Sequence, residues 1–116
     1  MQGRAIAKTS RMSARKMRRV IDEIRDRDVN EAYSILQFSK KGAAEPIDKV
    51  LRSAVANAVN KADTDGQALD VDGLFVSEAY VNEGPTLRRY RAAAMGRAAP
   101  IKKRMSHVTV VVDTKE

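Results

Sequence analysis

Few residues in this chain could do covalent chemistry. His107 is its one histidine, and a general base or metal ligand there would need an acid, a nucleophile or further ligands beside it. Ser106 and Thr109 are its neighbours in a β-branched run, so a strand residue at the surface or facing a polyanion is expected. There is no cysteine, which removes disulfides, thiolate chemistry and cysteine-type zinc sites together. A Gly-rich phosphate loop, the G-x-S-x-G elbow and H-E-x-x-H are all missing. Asp63, Asp65, Asp70 and Asp72 suggest calcium at first sight. They lack the EF-hand spacing and its closing Glu, so a solvated turn is expected. Met12, Met17 and Met105 read as packing residues. The expectation is no catalysis, no metal and no cofactor.

What the side chains can do is bind anions. The formal net charge is +7 and the pI about 10.0, which points to a polyanionic partner. Its distribution says more. Residues 1–27 hold nine Lys/Arg against three Asp/Glu, residues 28–83 five against ten, and residues 84–112 seven against none. A merely solvated surface mixes the signs along the chain. Arg88, Arg89, Arg91, Arg97, Lys102, Lys103 and Arg104 have no carboxylate among them, so that stretch repels itself in water. Among phosphates the same charges attract, and counterion release offsets the cost of ordering it. Arg predominates, which favours bidentate phosphate contacts and stacking. Arg15, Lys16, Arg18 and Arg19 form a second basic surface at the other end of the chain.

These side chains must be held by a small set of elements. At 116 residues the chain is expected to be a single domain, 1–116. Gly3 to Arg11 alternates about Ile6 and reads as a short strand carrying Lys8 and Arg11. Ser13 is a candidate N-cap for a first helix, whose apolar stripe is Met17, Val20, Ile21 and Ile24. Asp28 with Glu31 has the spacing of a capping box for a second helix, burying Val29, Ala32, Tyr33 and Leu36. A third helix holds Pro46 in its first turn and a stripe of Ile47, Val50, Leu51, Ala54, Val55, Ala58 and Val59. Its small residues would let a neighbour approach closely, and Asp63 to Gly66 ends it.

Leu69 and Val71, then Leu74 to Val81, read as strand, and so does Val108 to Val112. Between the last two lies a long hairpin arm, about 83–104, with Gly84-Pro85 at its start, Gly96 near its middle and Pro100 on the return. Its apolar content is too small to hold it against the body. Half its length would reach roughly 30 Å at about 3.3 Å per residue. The fold class expected is α+β: three helices packed on a small antiparallel sheet, with a long extended β-hairpin arm. No run is apolar enough to span a membrane, no secretory leader is apparent, and the cytosol is the expected address. No obligate homo-oligomer is expected.

Several segments together resemble the bacterial large-subunit ribosomal protein L twenty-two family. Ser13-Ala14-Arg15-Lys16-Met17-Arg18-Arg19-Val20 is similar to its first-helix signature, and Lys49 to Ala58 to its third-helix motif. Glu83 to Arg89 and Gly96-Arg97-Ala98 are similar to its hairpin, and Lys103 to Val112 to its closing strand. Order and spacing hold from about residue 5 to 112. The resemblance implies a structural constituent of the large ribosomal subunit that binds 23S ribosomal RNA and assists subunit assembly. It would lie beside neighbouring large-subunit proteins, with the hairpin lining the polypeptide exit tunnel.

Carried over by position, Arg15, Lys16, Arg18 and Arg19 would face RNA, as would Lys49, Ser53 and Asn57 of the third helix. So would Arg88, Arg89 and Arg97 of the hairpin, with Lys103, Arg104 and His107 at its base. Lys8, Arg11, Arg91 and Lys102 join them on charge and position. The tip, Arg91, Ala92, Ala93, Ala94, Met95 and Gly96, would face the tunnel and the nascent polypeptide. Many relatives place Pro and further basic residues there, where this chain has Ala and Met. Two other readings of the basic residues stay open at this point. One is a DNA-bending protein with a basic β-ribbon, for which Met95 is the one candidate wedge; the other is a small enzyme with an unrecognised site.

Overall fold

The computed structural model describes residues 2–67, 69–92 and 94–114. In chain order the elements are β1 (Gly3–Ser10), α1 (Ala14–Ile24), α2 (Val29–Phe38), α3 (Ala44–Thr64), β2 (Leu74–Ala92) and β3 (Ala98–Thr114), with short 3-10 turns at Val71–Gly73 and Ala94–Gly96. The strands form one antiparallel sheet in the order β1-β3-β2, with the chain's last strand in the centre. Helix α3 packs along β1 and α1 along β2. The expected α+β architecture, with its extended hairpin, is therefore what forms.

Apolar spacing explains the helices. On α1, Ala14, Met17, Val20, Ile21 and Ile24 are buried, one stripe at helical period against the sheet. On α3 the stripe runs from Ala44 and Ile47 through Ala54 and Ala58 to Ala62. Its small members matter where β1 passes beneath. A Cβ placed on Gly3 would overlap the Ala54 carbonyl and stand 2.6 Å from Cβ of Ala58. Helix and strand backbones meet there with nothing between. At its far end α3 closes on Gly66, with φ +69°. Gln67 N–H donates to Ala62 O at 2.9 Å and Gly66 N–H to Asp63 O at 3.1 Å, the paired bonds of a Schellman ending.

One local expectation is met in position only, and two differ from what forms. Ser13 stands at the N-cap of α1 without a side-chain cap bond. Asp28 stands at the N-cap of α2, but Glu31 turns to Arg27 at 2.9 Å instead of completing a box. Leu69 and Val71 are not strand. Asp70 accepts Asp72 N–H at 3.0 Å and winds Val71–Gly73 into a turn, a local bond that competes with a ladder.

The strand pattern of β2 carries a fault that turns out to be useful. Leu74 and Val76 are buried, then Ala79 and Val81, so the inward parity changes between them. A register shift against β3 lies between Val76 and Glu78, the extra residue of a β-bulge. Ser77, left over, donates its hydroxyl to Val111 O at 3.1 Å. Beyond Val81 the hairpin leaves the body, and none of the described residues 84–104 is buried. The molecule measures 67 × 27 × 17 Å along its principal axes. No helix among the described residues is long and apolar enough to cross a membrane.

Candidate nucleic-acid interface

The arm's root is where the chain's two basic ends meet. Ser13 and Arg15 at the start of α1 line one side of a cleft of about 500 Å³. Arg88, Thr86 and Gly84 of β2, with Lys102, Arg104 and Met105 of β3, line the rest. A second cleft of about 480 Å³ joins Arg11, Lys16, Lys102, Lys103 and Arg104. The two share Ser13, Lys102, Arg104 and Met105. Residues separated by most of the sequence thus surround one open groove, and all seven of its cations are exposed. Glu83 is the carboxylate on its wall.

The start of α1 adds to this field. Its first turn holds no acidic side chain, and Ser13 makes no side-chain cap bond. The amide groups there carry the positive end of the helix dipole towards the groove. The groove can therefore seat phosphates. Among the described residues no group of three or more His, Cys, Asp or Glu could hold a metal ion.

Three of the expected contact residues bond to distant parts of the chain, while Arg89 donates through Nη1 to the neighbouring Arg88 O at 2.9 Å. Arg18 donates through Nε at 3.2 Å and Nη2 at 2.9 Å to Val81 O. Asn57 Nδ2 donates to Arg4 O at 2.8 Å. His107 accepts Thr9 N–H on Nδ1 at 2.9 Å. Thr9 has φ +59° at a register shift in β1, and a second shift interrupts β2 between Glu83 and Thr86. A Cβ on Gly84 would lie 3.2 Å from the His107 ring. His107 thus wedges two strand irregularities at the arm's root, one on either side of β3.

The remaining candidates are spread wider. Arg19 is exposed on α1 and Lys8 on β1, while Lys49 and Ser53 are exposed on α3, with Lys49 Nζ 3.8 Å from Glu45. Arg89, Arg91 and Arg97 stand exposed along the arm. At the tip Met95 has φ +63° and Gly96 φ +71°, and Met95 is 95% exposed. Ala93 lies outside the described residues. Sequence reasoning missed Arg25, which donates through Nε and Nη2 to Ala79 O at 3.1 and 2.8 Å. With Arg18 it covers the outer carbonyls of edge strand β2. Residues 25–28 finish that edge, with Asp26 N–H on Val76 O at 3.1 Å and Val76 N–H on Arg27 O at 2.8 Å. An uncovered edge would be a template for another strand. No spacing in the sequence reveals this, because it depends on which carbonyls the bulge turns outward.

Comparison with known proteins identifies the pattern. The family described as ribosomal protein L22p/L17e matches residues 5–113. The chain belongs to the ribosomal protein L22p/L17e family. Large ribosomal subunit protein uL22 of Desulfitobacterium hafniense (strain DSM 10664 / DCB-2) is 54% identical over 115 residues, covering 99% of this chain and 96% of the relative. Proteins of the same name from Ligilactobacillus salivarius (strain UCC118) and Lacticaseibacillus casei (strain BL23) are each 57% identical over 112 residues. Those alignments cover 97% of this chain and 93% and 92% of the relatives. As a member of the L22p/L17e family the chain is a structural ribosomal protein, not an enzyme. The DNA-bending reading falls with the enzymatic one.

Proposed function

We propose that this L22p/L17e protein is a constituent of the large ribosomal subunit in the cytoplasm, and that it binds 23S ribosomal RNA through the groove at the root of its arm. The observation that carries the reading is the convergence of Arg11, Arg15 and Lys16 with Arg88, Lys102, Lys103 and Arg104 around one groove. Phosphates of one RNA segment sit there, while Arg89, Arg91 and Arg97 meet another segment along the arm. Neutralising both lets the segments approach, and the arm fixes their spacing. This is the protein's part in subunit assembly. Arg18, Asn57 and His107 support the surface by holding β2, β1 and the arm's root. Arg19, Lys8, Lys49 and Ser53 extend it over the body, where neighbouring large-subunit proteins also pack.

The arm's far end lines the polypeptide exit tunnel, and Ala92, Ala94, Met95 and Gly96 present a neutral wall to the nascent chain. Support for the placement is the arm itself: it is long, exposed and without burial of its own, so it needs surroundings to hold it. Replacing Arg88 and Arg89 together by Glu tests the reading. Competed against the unaltered protein in cells, the variant is expected to be strongly depleted from purified large subunits. Equal incorporation would overturn the arm's role.

A further inference from the structure

Glu83 is the one residue of the groove at the arm's root whose charge opposes its surroundings. It is the last acidic residue before the run 84–112, which has none. Arg15, Arg88, Lys102 and Arg104 line the same cleft. A surface built only to collect phosphates would leave a carboxylate out, because it repels each phosphate the cations attract.

Glu83 does not serve to neutralise a neighbour either. Among the described residues its carboxylate makes no ion pair and no side-chain hydrogen bond. Glu23, Glu31 and Asp48, by contrast, hold Lys41, Arg27 and Arg52 at 3.3, 2.9 and 3.0 Å. The backbone at Glu83 is fixed on both sides. It is the last residue of β2 in register before the second shift, paired with Ser106 across the ladder. Gly84, next in the chain, packs so closely on the His107 ring that a Cβ there would lie 3.2 Å from it. An exposed acceptor is thus held among four cations without a partner of its own.

An ionised carboxylate only accepts hydrogen bonds, so whatever meets it in the groove must bring a donor. The phosphates and deoxyriboses of a DNA strand offer none. An RNA strand adds one at every residue, the 2′-hydroxyl, displayed along the wide minor groove of the A-form helix. Ser13 and Thr86 line the same cleft, and their hydroxyls can donate or accept. The cleft therefore matches what alternates along an RNA strand: cations for a phosphate, and an acceptor for the ribose beside it.

We propose that Glu83 accepts a hydrogen bond from a ribose 2′-hydroxyl of the bound strand, and so makes the groove selective for RNA over DNA. The proposal rests on the RNA-binding reading above and adds the group that tells the two polyanions apart. Arg15, Arg88, Lys102 and Arg104 attract either backbone. Against deoxyribose the carboxylate loses water and gains no partner, which costs affinity. The N–H groups of a base edge are the other donors an RNA carries, and the test separates them from the ribose.

The test uses the full-length protein and two hairpins of one sequence, RNA and the same RNA with 2′-fluoro at every ribose. The fluoro hairpin keeps the A-form shape and loses the donor. Fluorescence anisotropy at fixed low salt should show the unaltered protein binding the RNA about tenfold more tightly. Glu83→Ala should bring the two affinities together, while Glu83→Gln, which keeps an acceptor, should retain part of the preference. Lys102→Gln with Lys103→Gln should weaken both hairpins alike and leave their ratio as it was. If Glu83→Ala strengthens both hairpins equally, Glu83 is only a repelling charge, and the proposal is overturned while RNA binding stands. A preference that survives Glu83→Ala overturns it too. A Glu83-dependent preference between A·U and G·C hairpins, with no effect of 2′-fluoro, would assign the carboxylate to a base edge and overturn it as well. Failure of the unaltered protein to bind either hairpin would sink the RNA-binding reading itself.

Discussion

At the scale of single residues, the structure gives several polar side chains work inside the chain. Asn57 stands in the third-helix motif with Lys49 and Ser53, yet its amide is committed to Arg4 O at 2.8 Å. Beside that bond lies the contact that tolerates least change. Gly3 is buried where β1 meets α3, and an added Cβ would press on helix backbone at Ala54 and Ala58, which cannot swing aside. Gly3→Ala is expected to destabilise the fold by about 3 kcal/mol, the upper part of the range for overpacking. Urea unfolding should show a lower midpoint at unchanged slope. Tyr33 is a milder case. Burial pushes its phenol up from the usual value, which the Arg52 guanidinium 5.1 Å from its ring opposes and Asp48 reinforces.

At the scale of elements, the sheet's two outer edges are closed by side chains from the helices lying on them. Asn57 of α3 meets β1, while Arg18 of α1 and Arg25 at its end meet β2 at Val81 O and Ala79 O. Arg25 also pairs with Asp22 at 2.9 Å, but that pair is exposed and contributes little. Its value lies in the bonds to a partly buried carbonyl. Arg25→Ala is expected to cost about 1–2 kcal/mol, read as a lower thermal midpoint. Asp22→Ala, which breaks the ion pair alone, should change the midpoint far less. Equal losses in the two variants would assign the effect to the ion pair instead. The helices themselves were legible in the sequence, since each apolar stripe needs only its own spacing. The capping box at Asp28 was not realised, because Glu31 had a closer charged partner in Arg27.

At the scale of the whole molecule, charge is segregated in space as well as in sequence. The basic N-terminal segment and the basic arm converge at one root, while the acidic middle supplies most of α2, α3 and the turn after it. A polyanion is therefore drawn to one end of the elongated body. Lys102 and Lys103 sit in that root on the strand leading back to the body. Replacing both by Gln should reduce the slope of log affinity against log salt for RNA by about two. The measurement is a titration series between low and physiological salt. An unchanged slope would place phosphates elsewhere.

Local spacing and charge along the chain set the elements and the chemistry: three apolar helical stripes, a β-branched closing strand and an acid-free arm that cannot bury itself. Each follows from local spacing or from charge, which a linear reading contains. It also carried the family, because motifs in register span nearly all of the chain. Which basic residues act together follows from the packing of the folded chain. Arg15 and Lys16 share a groove with Lys102 and Arg104 because β3 returns through the centre of the sheet and α1 lies along β2. The packing decided, too, that Arg18 and His107 hold strands, Arg18 on the outward Val81 carbonyl of β2 and His107 on the Thr9 N–H at a register shift in β1. And it left Phe38 exposed at the end of α2, off the stripe that the helix buries.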